Sequence, residues 1–229
     1  MIQVEICTPS RASAVAAKEG GARRVELCRD LGCGGLTPSD DDIAYCVRTL
    51  GLRTHVLVRP RAGDFCYNAT EIDTIERTIL RCKELGAHAV VVGFLTAEGV
   101  VDVELTRRMV QLAAPMEVTF HRAFDEARQE PLEALRAVAE AGCTRLLTSG
   151  QRPTALEGEE VLRKLVMSAE GLGISILAGS GITPSNVRQL IDRTGVTEVH
   201  GSCKTTLPDG TVQTDASLVR QLIDNINML

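Results

Sequence analysis

Residues 116–125, MEVTFHRAFD, open as a buried β-strand and close by setting down His121, Arg122 and Asp125 within a few positions. Val118, Thr119 and Phe120 are β-branched or aromatic, the residue types that suit a pleated, half-buried surface. A strand that delivers a histidine–arginine pair at its exit looks like a site mounted on a rigid scaffold. What that site can do depends on what the other strands deliver to the same end.

Seven further runs of the same kind surround it. Strands are expected from Gln3 (QVEIC), Arg24 (RVELC), Thr54 (THVLVR), His88 (HAVVVG), Thr144 (TRLLTS), Ile174 (ISILAG) and Thr197 (TEVHGS), with the run at Met116 fifth in order. Helical patterns lie between them at 9–19, 40–49, 70–85, 103–112, 131–140, 158–169, 184–192 and 215–227. Pro131 and Pro184 suit first helical turns, where a missing N–H costs nothing. Gly20-Gly21, Gly86, Gly142 and Gly171 follow helical runs as C-caps. Strands alternating with single helices imply right-handed crossovers and a parallel sheet. Eight such units in 229 residues, with no segment left over for a second domain, point to one (β/α)8 barrel, a TIM barrel, spanning residues 1–229. An open doubly wound sheet fits less well, because its Gly-rich first turn is replaced by Thr8-Pro9-Ser10.

Alternation gives each strand two faces. One is aliphatic: Val4 and Ile6, Val25 and Leu27, Val56 and Val58, Val118 and Phe120, Leu177, Val199. The other carries Glu5, Cys7, Arg24, Glu26, Cys28, His55, Arg59, Glu117, Thr119, His121, Arg145, Ser149, Glu198, His200 and Ser202. The aliphatic face should pack under the helices, which turns the polar face into the barrel. Charges there must be paired, since a lone buried ion costs several kcal/mol. Glu5, Glu26, Glu117 and Glu198 are therefore expected to meet Arg24, Arg59 and Arg145. Strand C-terminal ends, where barrel enzymes keep their sites, hold Cys7, Cys28, Arg59, Arg61, His121, Arg122, Thr148, Ser149 and His200.

Composition narrows the function classes. A net charge of −5 argues against a general nucleic-acid binder. The opening MIQVEICTPS has neither a basic segment nor a long apolar one, and no apolar run approaches a membrane span of roughly 20 residues. A cytoplasmic protein is expected, with no membrane or nucleic-acid partner. The eight cysteines have no paired C-x-x-C spacing, so free thiols are expected rather than a disulfide framework or a zinc site.

Three groups of residues carry chemistry. His121 can serve as general acid or base, with Arg122 and Arg59 beside it. Arg59 and Arg61, leading into the aromatic loop 62–67, suit recognition of an anion, the loop acting as a lid. Gly179-Ser180-Gly181 after the seventh strand and His200-Gly201-Ser202 at the end of the eighth stand where many barrels hold phosphate. Cys7 and Cys28 end the near-repeats Val4-Glu5-Ile6-Cys7 and Val25-Glu26-Leu27-Cys28 on adjacent strands, and two such thiolates suit Cu(I). The rival readings are a copper ion at Cys7 and Cys28, a small anionic or phosphorylated metabolite turned over at the mouth, or a scaffold whose strand-end groups merely pair. No organic cofactor is implied.

These motifs together resemble the CutC family, named for copper homeostasis. The resemblance runs over essentially the whole chain. It rests on Val4-Glu5-Ile6-Cys7, Arg24-Val25-Glu26-Leu27-Cys28, Gly34-Gly35-Leu36-Thr37-Pro38-Ser39, Val58-Arg59-Pro60-Arg61, Gly63-Asp64-Phe65, Thr119-Phe120-His121-Arg122-Ala123-Phe124-Asp125, Leu147-Thr148-Ser149-Gly150 and Gly179-Ser180-Gly181-Ile182. It implies a (β/α)8 barrel, a cytoplasmic location, a homodimer, a link to copper and metal ligands at Cys7 and Cys28.

Overall fold

Parallel pairing of each strand with the next, and of the last with the first, closes the sheet into an eight-stranded barrel in the order of the sequence. The computed structural model describes residues 2–208 and 210–227. The strands are β1 (Gln3–Thr8), β2 (Arg24–Leu27), β3 (Arg53–Leu57), β4 (Ala89–Val92), β5 (Glu117–Phe120), β6 (Arg145–Thr148), β7 (Ser175–Gly179) and β8 (Glu198–Gly201). Between and after them run α1 (Arg11–Glu19), α2 (Asp40–Ala44), α3 (Ala69–Leu85), α4 (Val103–Ala113), α5 (Ala123–Glu126), α6 (Pro131–Glu140), α7 (Glu159–Ala169), α8 (Val187–Thr194) and α9 (Ala216–Asn227). The expected (β/α)8 barrel is the observed fold. No helix is long and apolar enough to cross a membrane among the described residues.

Local chemistry explains most boundaries. Asn68 and Glu71 form a reciprocal capping box at the start of α3, and Gly86 ends that helix in the left-handed conformation. Pro131 opens α6 as expected. Pro184 does not open α8. The Asn186 side chain accepts the Thr183 N–H and donates to the Gly181 carbonyl, which holds 184–186 in a turn and delays the helix to Val187. Gly171 falls inside a short 3-10 turn, and the left-handed cap is Gly173. One hairpin lies outside the eight-unit reading: β9 (Lys204–Thr206) pairs with β10 (Val212–Thr214), and Thr214 reaches Ser13 and the Cys7 carbonyl.

The aliphatic strand faces pack beneath the helices with Ile43, Ile75, Ile79, Met109, Leu135, Leu162, Leu190 and Leu222 in the main core. Leu177 departs from its expected outward face. It lies level with Glu198 and points inward, while Ile174, Ile176 and Ala178 join the outer core. Both faces of β7 carry apolar residues, so alternation alone could not set its phase.

The inner face holds charges, as expected, and toward the strand N-termini they are matched. Glu198 Oε2 takes Arg24 at 2.5 Å and Arg145 at 2.8 Å. Glu117 joins Arg145 at 3.2 Å and Arg53 at 2.5 Å. Glu5 lies 3.0 Å from Arg24, 2.8 Å from His55 and 2.9 Å from His200. The Arg24 and His55 contacts are close without being aligned as hydrogen bonds. Burial would raise the Glu5 pKa, but His55, His200 and Arg24 outweigh it and hold the carboxyl well below its usual range.

Candidate functional site at the barrel mouth

The C-terminal strand ends surround a cavity of about 1060 Å³, the face on which barrel enzymes carry their sites. Cys7, Glu26, Arg59, His121, Arg122 and His200 line it, with the turns after β7 and β8.

At its floor the near-repeats of β1 and β2 meet with a stagger. Glu5 pairs with Arg24 and Cys7 with Glu26, so Cys28 stands one pleat further along and its Sγ comes 3.8 Å from Cys7 Sγ. Cys7 Sγ is also 3.9 Å from Glu26 Oε1, and ligand atoms of Cys7, Glu26 and His200 lie within 4.8 Å of one another. Hydrogen bonding to Cys28 and burial push the Cys7 thiol well up. Burial would lower His200, but Cys7, Glu26 and Glu5 draw it well above its ordinary value. Burial, opposed by the His200 charge and reinforced by Glu5, lifts Glu26 to about 7. Glu26 Oε2 has no hydrogen-bond partner among the described residues. The pairing expected of Glu26 with an interior arginine is therefore not made, and it joins the thiols and His200 instead.

On the opposite wall, Arg59 and His121 flank Phe65. The Arg59 guanidinium carbon lies 5.0 Å from the Phe65 ring centre, and the His121 ring centre 4.8 Å from it. Arg59 is buried at 6% exposure and donates to the carbonyls of Cys33, Gly35 and Gly63. It has no carboxylate partner among the described residues, and its Nε is unbonded. The Tyr67 hydroxyl is near enough for Arg59 to oppose the rise that burial imposes on it, to about 12, yet it too makes no aligned hydrogen bond.

His121 Nδ1 accepts the Ala123 N–H at 3.1 Å, which leaves the ring proton on Nε2, itself unpartnered and buried. Burial and then the Arg59 charge hold the His121 pKa down at about 3. At neutral pH this is a fixed neutral N–H donor rather than the proton shuttle expected from its position. A glycine makes room for it: a Cβ on Gly93 would stand 2.4 Å from the imidazole.

The remaining expected residues divide. Ser180, Gly181 and Ser202 line the cavity, although the Ser180 hydroxyl turns away to the Pro153 carbonyl. Gly179 lies deeper, where a Cβ would strike Leu147. Arg61 is spent on its own loop, reaching Glu71 at 2.5 Å and Asp64 at 2.9 Å, so it does not face the cavity. Arg122 reaches Asp125 at 2.7 Å. Asp125 also accepts from Thr148, Ser149 and Gln151, which ties the β5 exit to the β6 exit. The loop 62–67 is anchored by the Leu95 N–H to the Phe65 carbonyl and forms a wall more than a lid. Glu26 and Gly93 are the residues sequence reasoning underrated. One signal was available for Glu26: four interior glutamates faced three arginines.

The sequence profile of the CutC family matches residues 2–205. A CutC family protein of Chromobacterium violaceum is 48% identical over 201 residues, 88% of this chain and 81% of that one. One of Porphyromonas gingivalis is 40% identical and covers 97% of both chains. The crystal structure of a Streptococcus agalactiae CutC, assigned by name to copper homeostasis, superposes with a TM-score of 0.83 at 31% identity, over 88% of this chain and 99% of that one. Phosphoribosylanthranilate isomerase of Thermotoga maritima shares the fold alone, with a TM-score of 0.64 at 18% identity over the whole of both chains.

Proposed function

The chain belongs to the CutC family, and from that membership we propose that it binds Cu(I) as cargo through Cys7 and Cys28 at the floor of the barrel mouth. The observation that carries this is the 3.8 Å approach of two buried sulfurs, a soft donor pair of the kind Cu(I) prefers. Glu26 and His200 stand beside them as further donors. Because Cys7 and His200 are both held protonated, binding releases protons and affinity rises with pH. We assign this role to a cytoplasmic homodimer.

Competition with a chromogenic Cu(I) chelator under reducing conditions tests the reading. Cys7→Ser with Cys28→Ser is expected to weaken binding by at least about 100-fold, roughly 2.8 kcal/mol. Equal retention of copper by the double variant would remove it.

A second reading, an enzyme acting on a small anionic metabolite, is favoured by one specific observation. Arg59 is a buried cation without a carboxylate, whereas a lone buried ion costs several kcal/mol. A bound anion would relieve that cost. Anions screened by thermal shift should stabilise the protein, by about 2.7 kcal/mol at a hundred times the dissociation constant. Stabilisation that survives Arg59→Ala would count against this reading.

A further inference from the structure

We infer that Arg59 and His121 form a carboxylate subsite, in which His121 is a fixed neutral donor and the ligand is a small organic acid seated against the Phe65 wall. This rests on the anionic-metabolite reading and names its ligand class. The two copper thiols play no part in it.

The argument begins with donors that have nowhere to go. The Arg59 hydrogen bonds end on the carbonyls of Cys33, Gly35 and Gly63, which fixes the guanidinium in place and leaves Nε without an aligned partner, the Tyr67 hydroxyl standing near it but out of line. His121 is fixed as firmly. Its Nδ1 is occupied by the Ala123 N–H, and Nε2, with the only ring proton, has no acceptor. Both residues are at least nine-tenths buried, at 6% and 5% exposure, and both line the cavity. A buried donor without an acceptor loses about 1–3 kcal/mol of hydration, more when charged. These two groups therefore call for an oxygen-rich ligand.

Charge and shape narrow its class. The other buried interior arginines, Arg24 and Arg145, each have glutamate partners; Arg59 alone among them has only neutral carbonyls. The ligand must bring the negative charge. Arg59 uses three of its five N–H groups and leaves two, on Nε and Nη2, and His121 leaves one on Nε2; the two oxygens of a carboxylate carry enough lone pairs for all three, whereas a phosphate would leave further acceptors unserved. The Phe65 ring lies against both residues, 5.0 Å from the Arg59 guanidinium carbon and 4.8 Å from the His121 ring centre, and gives the ligand an apolar wall. The cavity, at about 1060 Å³, leaves room for the remainder of a metabolite.

The test uses the full chain, metal-free and reduced, titrated calorimetrically with acetate, pyruvate and succinate and separately with inorganic phosphate. His121→Asn keeps an acceptor for the Ala123 N–H and withdraws the Nε2 donor together with the ring face on Phe65; His121→Gln, which also lacks the ring, returns an N–H near the Nε2 position. Carboxylate binding is expected in the wild type, weakened at least about tenfold in His121→Asn and partly restored in His121→Gln, the size of one hydrogen bond to a charged group. Long-range ¹H–¹⁵N spectra of the wild type supply a readout that needs no variant to fold: the Nε2–H tautomer, with its proton shifting on addition of carboxylate. Phosphate binding without carboxylate binding would overturn the carboxylate assignment and leave the anion reading standing. Carboxylate binding indifferent to His121→Asn, or an unmoved Nε2 proton, would overturn the role of His121. Binding of neither anion would overturn both.

Discussion

The lower and upper halves of the barrel interior are built from the same inward strand phase, yet they treat charge in opposite ways. Below, Glu5, Glu117 and Glu198 meet Arg24, Arg53 and Arg145, so that each arginine has a carboxylate. Above, Arg59 has none and Glu26 Oε2 has no hydrogen-bond partner among the described residues, while an unpartnered imidazole nitrogen occurs in both halves, at His121 Nε2 above and His55 Nε2 below. Glu5, Arg24, Arg145 and Glu198 below are buried as deeply as Glu26, Arg59 and His121 above, whereas Arg53 and Glu117 reach the surface. The matched half can be understood as structure; the unmatched half makes sense as a place for something else. A polar interior is thus not a site in itself; what tells the two apart is Arg59, a buried cation with only neutral carbonyls for partners among the described residues.

The comparison would break first at Glu198, which serves two arginines at once. Glu198→Ala leaves Arg24 with Glu5 alone and Arg145 with Glu117 alone and should cost about 2–4 kcal/mol, at or below the figure for a buried charge left wholly unpaired, measured by urea denaturation. A loss under 1 kcal/mol would show that the lower network is not load-sharing in the way described.

His121 sharpens the contrast through pH. Its folded pKa of about 3 lies below the 6.5 of a free imidazole, so the unfolded chain takes up a proton that the folded chain refuses. The full contribution is present above pH 6.5 and drains away as the pH falls from there toward 3. Between pH 6.5 and 4.5, His121→Asn should escape roughly 2–3 kcal/mol of the loss suffered by the wild type. Parallel stability curves for the two proteins would contradict the buried neutral imidazole.

The smallest effect is expected outside the barrel altogether. Arg61 makes its ion pairs at the surface, its side chain one-third exposed, and Arg61→Ala should cost no more than about 1 kcal/mol. Thermal denaturation checks this, and a larger loss would mean that the loop at the mouth depends on that arginine far more than a solvated pair allows.

Much of this was legible in the chain. Eight alternating units and the phase of Glu5, Arg24, Glu117, Arg145 and Glu198 suffice for the barrel and its charged interior, because a period of two and a period of 3.6 are each set by backbone geometry. The approach of Cys7 to Cys28 was also readable, since both end near-identical strands. Partner choice was not. Arg59 and Arg61 stand two residues apart with similar prospects, and only the fold turns one to the cavity and the other to Glu71. Nor does sequence show whether an imidazole will meet a backbone N–H: His121 becomes a donor because Ala123 begins a helical turn. Glu26 differs from Glu5 only in who stands opposite.

Gly93 has an ordinary backbone conformation, with no left-handed φ to satisfy, and its lack of a side chain matters for clearance, 2.4 Å to His121 and 2.8 Å to the Ala123 Cβ. Its hydrogen atom works as a vacancy sign. Replacing it with a methyl group would crowd both the imidazole and the Ala123 methyl while leaving every polar group in the chemical inventory, so the shape of the mouth could be altered without deleting any of the functional groups that line it.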